Sequence, residues 1–249
     1  MDEWTPLQGG NVNTVAQRGG VVRRELSAAS SAVHQLLKHL EKRSVPLVPR
    51  LQGSDAQHEY LSFLPGDAVF RPWPDAARGD AWLTDLGRWL LRYHGAVQGF
   101  RARDAAFSWG PTEPDAGMIV CHGDIGPWNL LHQNGRLTGV IDWDSARYGD
   151  PLDDVAELAL EAVPLHTRHQ ETLGVVDRGV LESRLKLFCV AYGTDSKTVL
   201  QHVPVYMQMV IRDIRKLSAK GLELFVSFDE GDIPEALEED LGYCLRTWL

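Results

Sequence analysis

The sequence has few cysteines, no long apolar run and no excess of basic residues. Its three cysteines, Cys121, Cys189 and Cys244, form an odd and widely spaced set, which is typical neither of a disulfide framework nor of a zinc site. No apolar run approaches the length that spans a bilayer. The opening residues MDEWTPLQGG lack the basic flank and apolar centre of a secretory signal. These absences predict a soluble, cytoplasmic protein that does not bind a membrane.

The charge of the chain is negative and unevenly distributed, with a formal net value of −9. Residues 1–141 carry 14 acidic and 14 Lys or Arg residues, whereas residues 142–249 carry 20 acidic residues and 11 Lys or Arg. An acidic half argues against nucleic acid and anionic membranes as partners. It suits a cationic small-molecule substrate or an acidic site neutralised by metal, and an ordinary solvated acidic surface is an equal alternative.

The order of predicted elements indicates an α+β fold with two segregated lobes. The 249 residues are 44% hydrophobic, which is enough for two packed lobes. Turn residues and periodicity predict strands at 5–7, 12–16, 21–24, 50–51 and 59–64, with one helix at 32–42 capped by Ser30 or Ser31. Further helices are predicted at 76–94, 151–162, 179–192, 195–220 and from 232 onward. We expect a small β-rich N-lobe at 1–66 and a larger, mainly helical C-lobe at 67–249.

The polar chemistry is concentrated between residues 118 and 155. A short apolar strand at 118–121 is followed by a polar loop at 122–129. Asn134-Gly135 between two apolar runs is a strong signal for a tight hairpin. This hairpin is predicted to bring Asn129 close to Asp142, while Asp124, just after the first strand, projects into a cleft.

These three side chains suit phosphoryl transfer. An Asn oxygen and a carboxylate are hard oxygen ligands for Mg²⁺, which takes few ligands from protein and completes its shell with phosphates and water. A carboxylate beside them, that of Asp124, can orient and deprotonate an attacking hydroxyl. The alternative is that they are turn and cap residues, and we accept it only for Asp150, which precedes Pro151 at a helix start.

The segments CHGDIGPWN (121–129), VIDWD (140–144) and GDPLDDVA (149–156) resemble a known family. Together they are similar to the aminoglycoside phosphotransferase and choline kinase-like group, and most similar to its bacterial branch, whose substrates the group name does not fix. The resemblance implies a two-lobed protein-kinase-like fold and phosphorylation of a small molecule.

The resemblance implies a role for each matching residue of the catalytic loop and the strand beyond it. Asp124 matches the aspartate that accepts the substrate proton, and His122 matches the histidine that supports its loop. Asn129 and Asp142 match the two Mg²⁺ ligands. Asp154 resembles the aspartate that supports the loop from the following helix, with Asp153 as the alternative.

Further positions follow from the same resemblance with less specific motifs. Gly9-Gly10 falls where a loop should cover the phosphates, and the backbone around Ser62 falls at the hinge that holds adenine. Asp144 is assigned either a second metal or a substrate contact. Glu157 and Glu161 share a helix face that is predicted to face the substrate, although such a pair is more often simply solvated.

The chain departs from the family pattern at the strand lysine that binds the α- and β-phosphates. No lysine precedes Lys38, and the strand reads Val21-Val22-Arg23-Arg24. Either arginine is a candidate, and Arg23 fits the usual spacing better, although arginine is a larger, planar donor. The following helix has no acid at 31–37, which leaves Glu25 as the nearest partner for the basic residue.

Our leading hypothesis is a kinase that uses Mg²⁺ and ATP, with GTP as the alternative, to phosphorylate a hydroxyl of an aminoglycoside, amino alcohol or sugar. The first rival is a kinase-fold binding module or pseudokinase, because the lysine–glutamate pair is missing. The second is a metal-dependent hydrolase, which would need more His or carboxylate ligands. The sequence carries no signal for the acceptor or the oligomeric state.

Overall fold

A computed structural model describes residues 3–7, 15–70, 73–166, 170, 174 and 177–249, and these form a β-rich N-lobe and a mainly helical C-lobe. The described part of the N-lobe contains an antiparallel sheet with the strand order β1-β2-β3-β5-β4. Its strands are β1 (Thr5–Pro6), β2 (Ala16–Arg18), β3 (Val21–Glu25), β4 (Leu51–Ser54) and β5 (His58–Ser62). The predicted α+β, kinase-like fold class is thereby confirmed, while most of the strand predicted at 12–16 lies outside the described residues.

Helix α1 (Ser30–Lys42) packs beside this sheet with one apolar face, as its periodicity predicts. Its buried side chains include Val33, Leu36, Leu37 and Leu40. The predicted cap is wrong, because the N-cap position is Ala29 and no side chain caps the helix. Ser30 Oγ instead accepts a hydrogen bond of 2.8 Å from the Ser27 backbone N–H in the turn before the helix.

The C-lobe begins with two small sheets that hold the loops of the site. Strands β6 (Asp67–Ala68), β8 (Leu130–Gln133) and β9 (Arg136–Val140) form one sheet, and β7 (Ile119–Cys121) pairs with β10 (Arg147–Gly149) in the other. The predicted hairpin joins β8 to β9, with Asn134 at φ 51° and Gly135 at φ 74°. Two successive positive φ values are the geometry that favours Asn-Gly in this turn. The lobe boundary at 66/67 stays a prediction, and β6 pairs with β8 of the C-lobe.

The rest of the C-lobe is helical and surrounds a continuous apolar core. Its helices are α2 (Asp80–Ala96), α3 (Pro151–Ala162), α4 (Arg178–Tyr192), α5 (Ser196–Ser218), α6 (Glu223–Glu230) and α7 (Ile233–Trp248). The largest fully buried side chains in this core include Trp82, Tyr93, Trp143 and Phe188. Across the described residues, no helix combines the length and apolarity that a bilayer crossing requires.

Two helix predictions differ from the structure. The helix predicted to begin at residue 76 begins at Asp80, because the chain after Pro74 first makes a 3-10 turn at Asp75–Arg78. The long helix that ends at Ser218 is followed by α6, which the sequence pattern missed. No residue of α6 is buried, and the helix has only 8 residues, which is too short for a helical period to be recognised from sequence.

Truncating a core side chain of α2 should destabilise the protein far more than truncating an exposed one. Leu86 is 1% exposed and Leu91 is 49% exposed on the same helix. We expect Leu86→Ala to lower the free energy of unfolding by about 2–5 kcal/mol, because it removes buried apolar contact and leaves a cavity. Leu91→Ala should change it by less than about 0.5 kcal/mol. Urea unfolding of the two variants tests this, and equal losses would contradict the packing of α2.

Candidate active site

The loop that follows β7 is fixed by the carboxylate of Asp154, in the first turn of α3. Its Oδ2 accepts the backbone N–H of His122 at 2.9 Å and lies 3.1 Å from His94 Nε2, while its Oδ1 accepts the Gly123 N–H at 3.1 Å. Burial opposes ionisation of Asp154, but the hydrogen bonds from His94 and His122 outweigh it, so its pKa lies below the ordinary value. The start of α3 is set locally, because the Asp150 side chain accepts the Leu152 N–H at 2.8 Å.

His122 connects the same loop to the end of β9. Its Nε2 lies 3.1 Å from the Ile141 carbonyl oxygen, and its ring centroid lies 4.5 Å from that of Trp143. The side chain is completely buried. These contacts are those of a residue that supports the loop, which is the role the sequence predicts for it.

Asp124 lies in this loop with a hydrogen bond to each carboxylate oxygen. Trp128 Nε1 donates to its Oδ1 at 3.0 Å, and Asn129 Nδ2 donates to its Oδ2 at 2.8 Å. Burial raises the pKa of Asp124 and the charge of Asp142 adds to the rise, while the two hydrogen bonds lower it in part. The result is an oriented carboxylate with a raised proton affinity.

Asn129 and Asp142 come together at the base of the hairpin. The Ile141 N–H donates to the Asn129 carbonyl oxygen at 2.9 Å, which places the two ends of the hairpin side by side. Asp142 has a left-handed backbone with φ 62°, and its side chain is 53% exposed. Because the amide nitrogen of Asn129 faces Asp124, its Oδ1 is the end available to another partner.

This donor set fits Mg²⁺ bound together with a nucleotide. It offers an amide oxygen and an exposed carboxylate, which are hard oxygen ligands. Among the described residues, no group of three or more His, Cys, Asp or Glu side chains is arranged to hold a metal. A cation at Asn129 and Asp142 would therefore depend on phosphate and water oxygens to complete its shell.

Arg24 brings a positive charge from the N-lobe to the acids of the C-lobe. Its guanidinium contacts Glu59, Asp142 at 3.3 Å and Asp144 at 2.6 Å. Burial lowers the pKa of Arg24, but the three carboxylates outweigh burial and raise it. Burial raises the pKa of Asp144, and its contact with Arg24 offsets that rise in part. This cluster closes the cleft between the lobes at the level of Asp142.

Comparisons with known proteins agree with these features. Residues 102–176 match the model of the phosphotransferase enzyme family. The trifolitoxin immunity protein of Rhizobium leguminosarum bv. trifolii is 34% identical over 153 residues, which cover 59% of this chain and 57% of that protein. The hygromycin-B 4-O-kinase of Escherichia coli is 40% identical over 58 residues, 23% of this chain and 17% of that enzyme.

Solved structures agree on the fold at low sequence identity. The amicoumacin kinase complexed with AMP-PNP and Ca²⁺ aligns with a TM-score of 0.69 at 14% identity, over 98% of this chain and 88% of that one. A choline/ethanolamine kinase family protein from Mesorhizobium loti aligns with a TM-score of 0.60 at 15% identity, over 98% and 92%. The chain is therefore similar to the phosphotransferase enzyme family over residues 102–176, and it shares the fold of these solved kinase structures. It spans little more than half the length of the first curated relative.

Measured against the phosphotransferase pattern, the structure brings Arg24 and not Arg23 to the acids of the cleft. The Arg23 guanidinium carbon lies 4.7 Å from the ring centroid of Trp4, outside the cluster. Arg23 fits the sequence spacing of the family lysine better, but its guanidinium lies beside Trp4 and not beside the acids of the cleft. Which arginine contacts phosphate stays a prediction, and the position of Arg24 favours Arg24.

Glu59 is the acid that pairs with Arg24, and the sequence reasoning missed it. It lies on β5, where Arg24 and Glu59 are directly opposite in the strand register, and His34 of α1 contacts its other oxygen. Glu25, the partner expected from the sequence, is exposed at the end of β3. A signal was present, because Glu59 alternates with Leu61 on the inward face of its strand, where an unpaired charge is costly.

The two glutamates of α3 differ from a simple solvated pair. Glu157 is 6% exposed and accepts a hydrogen bond from the backbone N–H of Ile125, next to Asp124. Burial and the nearby charge of Asp124 raise the pKa of Glu157 well above its ordinary value. Glu161 lies 3.6 Å from His166 Nε2. A substrate contact by either residue stays a prediction, and the contact of Glu157 with Ile125 favours a supporting role for Glu157.

The predicted nucleotide contacts are placed only in part. Gly9 and Gly10 lie outside the described residues. Ser62 is occupied within the sheet, because its N–H donates to the Arg50 carbonyl oxygen at 2.9 Å and its Oγ accepts the Arg50 N–H at 2.8 Å. Hydrogen bonds to adenine would therefore come from hinge groups other than the Ser62 N–H and hydroxyl.

Removing the charge of Asp154 should loosen the loop at residues 122–129. Asp154→Asn keeps the volume but replaces one acceptor oxygen with a donor, so we expect the free energy of unfolding at pH 7 to fall by about 3 kcal/mol. The folded pKa of Asp154 lies below the ordinary value of an aspartate, so the ionised carboxylate stabilises the protein above that ordinary value. Its contribution is lost as the pH falls through the folded pKa.

The difference in the free energy of unfolding between the parent protein and Asp154→Asn should therefore become smaller at acidic pH. Urea unfolding at a series of pH values measures this difference. Asp213→Asn, in a pair with exposed Arg212, is the control that should leave stability unchanged. A gap that stays constant below the ordinary carboxylate pKa would show that the charge of Asp154 is not what holds the loop.

Proposed function

We propose that the protein transfers the γ-phosphate of ATP, with GTP as the alternative nucleotide, to a hydroxyl of a small molecule. One observation carries the proposal. The Asp124 carboxylate is held by hydrogen bonds on both oxygens, and one of those donors, Asn129, lies beside Asp142 at the hairpin base. An oriented base next to two hard oxygen ligands is the smallest set of protein groups that phosphoryl transfer requires.

In the proposed reaction Asp124 accepts the proton of the acceptor hydroxyl as that oxygen attacks the γ-phosphorus. The bond from this phosphorus to the bridging oxygen breaks, and the nucleoside diphosphate leaves with the electron pair. A carboxylate whose pKa is raised by burial takes up a proton more readily than an exposed one. Such general-base catalysis contributes about 10²–10⁴-fold to the rate.

Asn129 and Asp142 would hold Mg²⁺ with the nucleotide, and the metal would supply charge neutralisation of the phosphates. Arg24 is the cationic side chain nearest to that position among the arginines of β3. In this arrangement Arg24 exchanges a carboxylate for a phosphate oxygen when the nucleotide binds. Arginine suits such an exchange because its planar fork binds carboxylates and phosphates alike.

The acceptor is proposed from the relatives and the charge of the chain. The sequence relatives include a hygromycin-B 4-O-kinase, a viomycin phosphotransferase and an immunity protein against trifolitoxin. We therefore place antibiotics first in an acceptor panel, followed by amino alcohols and sugars. The acidic second half of the chain favours the cationic members of this panel.

A second candidate is a kinase-fold protein that binds a ligand with weak or no catalysis. The observation that favours it is the contact of Arg24 with three carboxylates. An arginine that keeps these partners does not bind phosphate. Nucleotide titration separates the two functions, because the enzyme must bind ATP with Mg²⁺ and release ADP.

Replacing the base should abolish turnover and preserve the fold. We expect Asp124→Asn to lower kcat by about 10²–10⁴-fold, because asparagine cannot accept the proton. ADP release with the acceptor panel measures the rate, and circular dichroism checks the fold. Asp115→Asn, an exposed carboxylate in the preceding segment, is the matched control. Near-native turnover in Asp124→Asn would remove this residue from the mechanism.

Replacing the carboxylate ligand should weaken only the metal-dependent part of nucleotide binding. We expect Asp142→Asn to lower affinity for ATP by at least ~10-fold with Mg²⁺ present, because a ligand carboxylate is lost. Without Mg²⁺ the variant should bind ATP as well as the parent protein does. Calorimetric titration in both conditions checks this, and an equal loss in both would mean that Asp142 does not act through the metal.

A further inference from the structure

We propose that Trp128 positions the Asp124 carboxylate through its indole N–H and forms one wall of the acceptor site with its exposed ring. The inference rests on the proposed function for its acceptor part. Its contact with Asp124 stands on the geometry alone, because the indole Nε1 is 3.0 Å from Asp124 Oδ1.

The first observation is the exposure of Trp128 within an otherwise buried turn. Its neighbours Pro127 and Asn129 are buried, whereas Trp128 is 37% exposed. A large aromatic side chain gains more by burial than by remaining at the surface. Its partly exposed ring is therefore accessible to a small molecule beside the Asp124 carboxylate.

The second observation is that the ring is fixed against the loop itself. A β-carbon added at Gly126 would collide with the six-membered part of the Trp128 ring. Gly126 has φ −70° and ψ 163°, a conformation that any residue adopts. The glycine is therefore required for space under the indole and not for its backbone angles.

The third observation is that the two donors to Asp124 bind different oxygens of its carboxylate. Asn129 is 5% exposed and binds Oδ2 from the interior. Trp128, which is 37% exposed, binds Oδ1. An acceptor hydroxyl that reaches this oxygen therefore meets the indole beside it.

Two consequences follow for the reaction. The N–H donor fixes the rotation of the Asp124 carboxylate, so its two oxygens keep one orientation when the acceptor arrives. The flat apolar ring favours an acceptor whose hydroxyl lies beside a C–H face, such as that of a sugar ring. Trp128 is thus a positioning residue for Asp124 and a contact residue for the acceptor.

The test of the positioning role does not require turnover. The indole N–H resonance of Trp128 in a ¹H–¹⁵N NMR spectrum, assigned by its loss in Trp128→Phe, reports the contact. We expect Asp124→Ala, which removes the acceptor oxygen, to shift this resonance. The indole resonance of Trp109, whose ring packs against Phe225, should stay in place. An unmoved Trp128 resonance overturns the positioning role.

The acceptor wall is tested by kinetics with the acceptor that the panel identifies. We expect Trp128→Phe, which keeps a ring and loses the N–H, to lower kcat by about tenfold with less than threefold change in acceptor KM. Trp128→Ala should raise acceptor KM by about tenfold and leave the nucleotide Kd unchanged. Gly126→Ala, which displaces the ring, should behave like Trp128→Ala. An acceptor KM that stays native in both alanine variants overturns the wall.

The two proposals fail in distinguishable ways. A parent protein that shows no ADP release with any acceptor overturns the kinase function and, with it, the acceptor wall. The shift of the Trp128 indole N–H resonance then still decides whether Trp128 contacts the carboxylate. A native kcat in Trp128→Phe overturns the claim that this contact matters for the reaction.

Discussion

The site depends on one buried carboxylate, that of Asp154. It receives N–H groups from two successive loop residues, His122 and Gly123, and a third contact from His94 at the end of α2. A carboxylate with no exposed surface is stable only with such donors, and the buried N–H groups are satisfied only by such an acceptor. Because each side needs the other, the loop is held in one conformation, and Asp124 is carried to its place with it.

Contacts between opposite charges connect the two lobes across the cleft. Arg24 of the N-lobe sheet meets Asp142 and Asp144 of the C-lobe, while Glu59 and, through it, His34 of α1 hold the arginine from its own side. The arrangement substitutes for the lysine–glutamate pair that the resemblance led us to seek. The acid of the pair is Glu59 on strand β5 and not a residue of the helix. The base is Arg24, whose planar guanidinium contacts several acids, where a lysine would offer a single point charge.

Local signals predicted the parts of this architecture that are decided locally. The Asn134-Gly135 turn, the Asp150-Pro151 helix start and the stop of α3 were read correctly, because each rests on backbone preferences within a few residues. The missed features are of another kind. Helix α6 carries no buried stripe, the start of α1 uses no side-chain cap, and Glu59 is defined by its partner and not by its neighbours.

The sequence alone determined the local structure of the central stretch, since the loop, the hairpin and the helix start lie within forty residues and fold by short-range rules. Only the tertiary structure decided which basic residue reaches the cleft and what holds it. Arg24 contacts Glu59, which lies 35 positions away in the sequence, and Asp142, which lies 118 positions away. Strand register and lobe packing select Arg24 over its neighbour Arg23, because adjacent residues of a strand point to opposite faces.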